Sequence, residues 1–114
     1  MSDCIFCKIV NKEIPSEVVF EDNEIIAFKD INPLAPVHLL VIPKKHVKDL
    51  NAVSPEDQPL MGRLLGVVKQ LAYEHGVAES GYRVVTNIGS DGGQIVPHLH
   101  FHLIGGQKLG SKLG

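Results

Sequence analysis

The sequence predicts an α+β domain: a five-stranded antiparallel sheet with one main helix across it and a short N-terminal helix. Three observations lead there. Five short runs have the apolar, β-branched and aromatic character of strands, and one longer segment repeats apolar residues at helical spacing. The connections between neighbouring runs are short, which favours an antiparallel meander. A length of 114 residues fits a single domain over 1–114, and 44% hydrophobic residues suffice for a compact core.

The elements follow in chain order. Cys4 to Asn11 suits a short helix. Val18 to Glu21 and Ile25 to Lys29 form strands around Asp22-Asn23, a hairpin turn. The proline-containing loop INPLAP leads into a third strand, His38 to Ile42. Leu60, Leu64, Val67, Val68 and Leu71 mark one face of the main helix, which ends near His75-Gly76, where glycine suits the C-terminal cap. Ser54-Pro55-Glu56-Asp57 resembles a capped helix start, yet Pro59 would break a helix already under way. The regular helix is therefore expected from about Pro59. Tyr82 to Asn87 and Leu99 to Ile104 complete the strands across the glycine-rich turn GSDGG, and residues 105–114 form a Gly/Lys tail.

Composition excludes some partners. Lys plus Arg number 11 against 13 Asp plus Glu, a net charge of -2 that provides no general attraction for nucleic acid or an anionic membrane. Any anionic ligand must be held locally. The opening MSDCIFCKIVNKEIP lacks the apolar core of a signal peptide, and no apolar run is long enough to span a bilayer, so a cytoplasmic protein is expected.

The segment QIVPHLHFHLIGG, residues 94 to 106, holds half of the six histidines. Side chains two apart on a strand point the same way, so His98, His100 and His102 share a face. Leu99, Phe101, Leu103 and Ile104 supply apolar bulk to the other. One histidine on such a face reads as solvated surface; three in register suggest a site. Clustered imidazoles serve as metal ligands, as nucleophiles at phosphorus, or as phosphate-binding groups. A metal-dependent hydrolase barrel needs about 250 residues, which this length rules out.

Other residues add to the picture. In GSDGGQ, Gly92 and Gly93 allow backbone amides close to a phosphate, and Asn87 and Gln94 are side-chain donors, although a hairpin turn explains the glycines equally well. Cys4 and Cys7, in CIFC, are compatible with a disulfide, a redox pair or half of a metal site, which His46 and His98 would complete as Cys2His2. His75 reads as a helix-capping or surface residue.

The run His98-Leu99-His100-Phe101-His102-Leu103-Ile104 resembles the signature of the histidine triad superfamily. CIFCKIVNKEIPSEVVFED, FKDINPLAPVHLLVIPKKHV and YRVVTNIGSDGGQ extend the likeness to its Hint branch over nearly the whole chain. The resemblance implies a homodimeric hydrolase of purine nucleoside phosphoramidates and related adenylates, acting through a covalent nucleotidyl-histidine. His100 would be the nucleophile. His102 would contact phosphate oxygens and assist the leaving group, with His38 and His98 in the supporting network. Asp30 would bind the ribose hydroxyls, and Phe6, Ile9, Phe28, Ile31 and Leu40 would form the base pocket. Asn87, Gly93 and Gln94 would face the phosphate beside His100 and His102. Structural zinc on Cys4, Cys7, His46 and His98 is also implied. A dinucleoside polyphosphate hydrolase and a non-catalytic nucleotide-binding regulator are the alternatives. The chain departs from animal Hint proteins at Ile95, where they have a serine, and in its C-terminus, which lacks their aromatic ending.

Overall fold

The structure, a computed structural model, describes residues 3–113. Its architecture follows from two central strands that are apolar on both faces. In β2 (Ile25–Lys29) and β3 (Val37–Pro43), Ile25, Ala27, Leu39 and Val41 pack on one side with Leu64, Val68 and Leu71 of the main helix. The alternate residues Ile26, Phe28, Leu40 and Ile42 pack on the other side with Phe6 and Ile9 of the N-terminal helix α1 (Ile5–Val10). These strands are covered on both faces, so their sequences are nearly continuous apolar runs. Because α1 has only 6 residues, it covers part of its face and leaves a cleft beside it.

The main helix α2 (Gln58–Glu74) starts one residue before Pro59, which sits in the first turn, where a missing N–H has no helical partner to lose. Ser54 and Asp57 do form a cap, but around a separate 3-10 turn, Pro55–Asp57; the backbone N–H and hydroxyl of Ser54 donate to Asp57 Oδ2 at 3.2 and 3.1 Å. At the far end the His75 ring bonds the carbonyl of Leu71 through Nδ1 at 3.0 Å, and Gly76 has a left-handed φ of 75°. His75 is thus a capping residue.

All five strands are antiparallel, but they are not a simple meander. The order is β1-β2-β3-β5-β4, with β1 at Val18–Glu21, β4 at Tyr82–Val85 and β5 at Phe101–Gly105. A helix about 10 Å across spans roughly two inter-strand spacings. The chain leaving α2 therefore returns as β4 one position beyond β3, and β5 fills the gap. That insertion places the histidine strand against β3, with Leu40 opposite His102 and His38 opposite Ile104.

Two further expectations change in detail. β4 ends at Val85 rather than Asn87, and β5 begins at Phe101, so His98, Leu99 and His100 form an unpaired approach to the strand. Leu99 and Leu103 enter the α2-side core and Phe101 packs against it. Alternation within β5 puts Ile104 on the same side as His102, not with them.

Candidate active site

The open part of the α1 face is a cleft of about 450 Å³. Phe6, Ile9, Phe28 and Leu40 line it and belong to one apolar cluster, with the Phe6 and Phe28 rings edge to face at 5.6 Å. Asp30 and Ile31 line it from the end of β2, Asn87 and Gly93 from the glycine loop, and His100 and His102 from the histidine strand. Of the residues assigned to nucleotide binding from sequence, only Gln94 is not part of this wall. Its carboxamide oxygen accepts from the N–H of Gly89 at 3.0 Å, while its nitrogen donates to the carbonyls of Lys48 and Val96 at 2.8 and 3.1 Å. Gln94 braces the loop. Asn87 does the same from the cleft wall, donating to the Gly92 carbonyl at 2.7 Å. The loop also needs glycine at 92, since a Cβ there would lie 2.2 Å from the carbonyl oxygen of Ile88.

The hydrogen bonds of the histidines determine which ring nitrogens carry protons. His100 Nδ1 is 2.7 Å from the carbonyl oxygen of His98, a pure acceptor, so Nδ1 donates and the lone pair sits on Nε2. That nitrogen is the one with an electron pair to offer. The N–H of Leu34 donates to His38 Nδ1 at 3.0 Å, leaving the His38 proton on Nε2, which donates to His102 Nδ1 at 2.9 Å and lies 3.4 Å from Asp30 Oδ2. His102 in turn keeps its proton on Nε2. One ring thus offers an electron pair and its neighbour, with centroids 5.0 Å apart, offers a hydrogen-bond donor.

These rings are held neutral. Burial pushes His100 below its usual range, with the hydrogen bond to the His98 carbonyl and the charge of Asp30 opposing the shift. For His38 burial again dominates, partly offset by Asp30. His102 is pushed down to about 4, first by burial and then by the neighbouring His100 and His38. A neutral imidazole is the form that attacks phosphorus.

His98 faces a different group. Its Nε2 donates to the carbonyl of Pro43 at 2.8 Å, so its Nδ1 lone pair points at Cys4 Sγ and Cys7 Sγ, 3.2 and 3.6 Å away. His46 Nδ1 lies 3.2 Å from Cys7 Sγ. A tetrahedral zinc with the usual bond lengths requires S···N separations of about 3.6 Å. The four ligand atoms all lie within 4.8 Å of one another, so the donor set and its spacing fit such an ion after small adjustments. Asp30, His38 and His102 also bring three ligand atoms within 4.8 Å. There, however, a metal would need the Nε2 electron pair of His38, and the Leu34 N–H keeps that nitrogen protonated.

Sequence reasoning missed the backbone partners, namely the N–H of Leu34 and the carbonyls of His98 and Pro43. No residue type announces them, because any amino acid except proline at position 34 would supply the same group.

Comparison with known proteins agrees with this geometry. Residues 3–114 match a family model described as scavenger mRNA decapping enzyme C-term binding. The protein HitA of Neisseria gonorrhoeae is 50% identical over 105 residues, covering 92% of this chain and 97% of HitA. The purine nucleoside phosphoramidase of Escherichia coli (strain K12) is 44% identical over 111 residues, covering 97% and 93% of the two chains. The crystal structure of a HIT family hydrolase from Legionella pneumophila Philadelphia 1 superimposes with a TM-score of 0.95 at 50% identity, covering 98% of this chain and 100% of that one. With a neutral imidazole that keeps its electron pair on Nε2, a neighbouring imidazole donor and relatives matched over nearly their full length, the chain belongs to the histidine triad family of nucleotide hydrolases.

Proposed function

We propose that the protein hydrolyses P–N and mixed-anhydride bonds in purine nucleoside 5′-monophosphate derivatives, phosphoramidates and adenylates, through a nucleotidyl-histidine intermediate. The observation that carries this reading is the bond from His100 Nδ1 to the His98 carbonyl, which aims an Nε2 electron pair from a ring lining the cleft. The purine would occupy the apolar end by Phe6, Ile9, Phe28, Ile31 and Leu40. Asp30 retains acceptor capacity for the ribose hydroxyls beyond the bond that its Oδ1 receives from the N–H of Asn32.

In the first step His100 Nε2 bonds to the α-phosphorus, and the electron pair of the P–N bond leaves with the amine. The amine takes a proton relayed from solvent through His102, whose Nε2–H otherwise binds a phosphoryl oxygen. In the second step water attacks phosphorus and passes a proton back to solvent through His102, the electron pair of the P–N bond returns to His100 Nε2, and AMP or GMP is released with His100 neutral again. The glycine loop brings Gly93 and its backbone to the cleft wall, suited to phosphate oxygens. Structural zinc on Cys4, Cys7, His46 and His98 would supply rigidity, since four protein ligands leave no open coordination position. Thiols next to imidazoles suit a reducing cytoplasm, and the edge strand β4, with Tyr82 and Val84 exposed, suits pairing in a homodimer.

The test compares adenosine 5′-phosphoramidate with a diadenosine polyphosphate, using wild type and His100→Ala. AMP release from the phosphoramidate should fall by at least about 10³-fold in the variant, and retained turnover would sink the covalent mechanism. Preference for the dinucleotide would move the assignment to a dinucleoside polyphosphate hydrolase. Tight binding without turnover of either would leave a nucleotide-binding regulator.

A further inference from the structure

We infer that the backbone N–H of Leu34 is a tautomer lock, a positioning group that gives the His38–His102 pair a single hydrogen-bond direction and so makes His102 a donor toward the cleft. The His38 side chain is 2% exposed and cannot exchange its partner for water, whereas Leu34 as a residue is 71% exposed. The N–H itself is held by a stiff loop. Pro33 and Pro36 restrict the backbone on either side, the Asn32 N–H closes onto Asp30 Oδ1 at 2.8 Å, and the Asp30 N–H bonds the His38 carbonyl at 3.0 Å.

The consequence follows from proton bookkeeping. A neutral imidazole has one N–H and one electron pair. With the Leu34 N–H aimed at Nδ1, His38 must carry its proton on Nε2, and His102 must receive it on Nδ1 and present Nε2–H. If His38 adopted the other tautomer, its Nε2 electron pair would face both the Asp30 carboxylate and His102. His102 would then turn its own electron pair toward the cleft, where it would repel phosphoryl oxygens. A second proton on His38 is opposed in the same way, because an N–H at Nδ1 would oppose the N–H of Leu34.

The kinetic half of the test rests on the proposed hydrolase activity; the spectroscopic half does not. Imidazole ¹⁵N spectra of the labelled protein should show His38 and His102 both protonated at Nε2 with acceptor-type Nδ1 nitrogens. Leu34→Ala keeps the N–H and should leave the spectra and turnover unchanged. Leu34→Pro removes it, and replacing Leu34 with its α-hydroxy acid removes it without adding a ring, which preserves the test if the proline variant does not fold. In either, His38 should populate Nδ1–H, and turnover of substrates with poor leaving groups should fall about five- to tenfold, the worth of one hydrogen bond, with KM little changed. Finding His38 as Nδ1–H in the wild type, or an unaltered His38 tautomer once the N–H is gone, would overturn the lock. The expected spectra together with no turnover of any nucleotide would leave the lock standing and remove the hydrolase reading instead.

Discussion

Lowering the pH should destabilise this fold through His102 by an amount that a single variant isolates. In the unfolded chain the ring titrates near its ordinary value of about 6.5, whereas in the folded protein burial, then His100 and His38, hold it down to about 4. Between those values the unfolded state binds more protons, so stability rises with pH there. The contribution is complete above the unfolded value and is lost as pH falls from about 6.5 to about 4. A gap of about 2.5 units corresponds to at most ~3.4 kcal/mol, which solvent at the open cleft reduces to roughly 2–3 kcal/mol. Urea unfolding of wild type and His102→Gln across about pH 7.5 to 4.5 measures the term as the change in their stability difference. Wild type should lose ~1.5–2 kcal/mol more than the variant over that range, about three quarters of the full contribution, because pH 4.5 still lies above the folded value. Parallel curves would refute the premise that His102 is stored as a buried neutral ring. The other depressed histidines remain in both proteins, so their contributions largely cancel.

Two more outcomes test the surrounding structure. If Cys4, Cys7, His46 and His98 hold zinc as proposed, Cys7→Ser should bind less than the one zinc per chain expected of wild type and lower Tm by about 10 °C or more; it should also slow turnover, because the carbonyl of His98 orients His100. Zinc analysis with scanning calorimetry checks the first part, and unchanged metal content and Tm would contradict the Cys2His2 reading. Gly92→Ala forces a Cβ to within 2.2 Å of the Ile88 carbonyl unless the backbone moves. It should cost ~1–3 kcal/mol and raise the KM for nucleotide about tenfold, whereas a silent change would mean that the loop's path is unimportant.

Most of the fold was legible because its signals are local. Period-two and helical patterns located both helices and all five strands, with β1 and β2 placed at Val18–Glu21 and Ile25–Lys29 as observed. Strand order was not legible, since it depends on how far a helix carries the chain sideways before it returns. The cleft residues could be named because the triad and its flanking segments resemble a family. What eluded the sequence was the engagement of polar groups: Asn87 and Gln94 are amides that look like ligand donors, yet both hold the glycine loop together. The Leu34 N–H belongs to the same class of hidden information, as does the choice of which histidine nitrogen is free.

The early end of β5 bears directly on the chemistry. Had pairing begun at Leu99, the His98 carbonyl would have been available to the sheet ladder, where backbone acceptors are normally consumed. Instead the ladder starts at Phe101, and the unpaired approach is anchored by the Leu99 N–H on the carbonyl of Val47 at 2.7 Å and by the buried Leu99 side chain. The His98 carbonyl is then free to accept from His100 Nδ1, while the His98 ring turns away to Pro43 and the cysteines. Three successive residues therefore do three separate jobs. His98 ties the cysteine cluster to the His100 ring, Leu99 anchors the segment in the core, and His100 keeps its Nε2 electron pair because a backbone oxygen holds its only proton. An alternating histidine pattern fully inside a paired strand would place the same rings on one face but would not specify which nitrogen carries the electron pair.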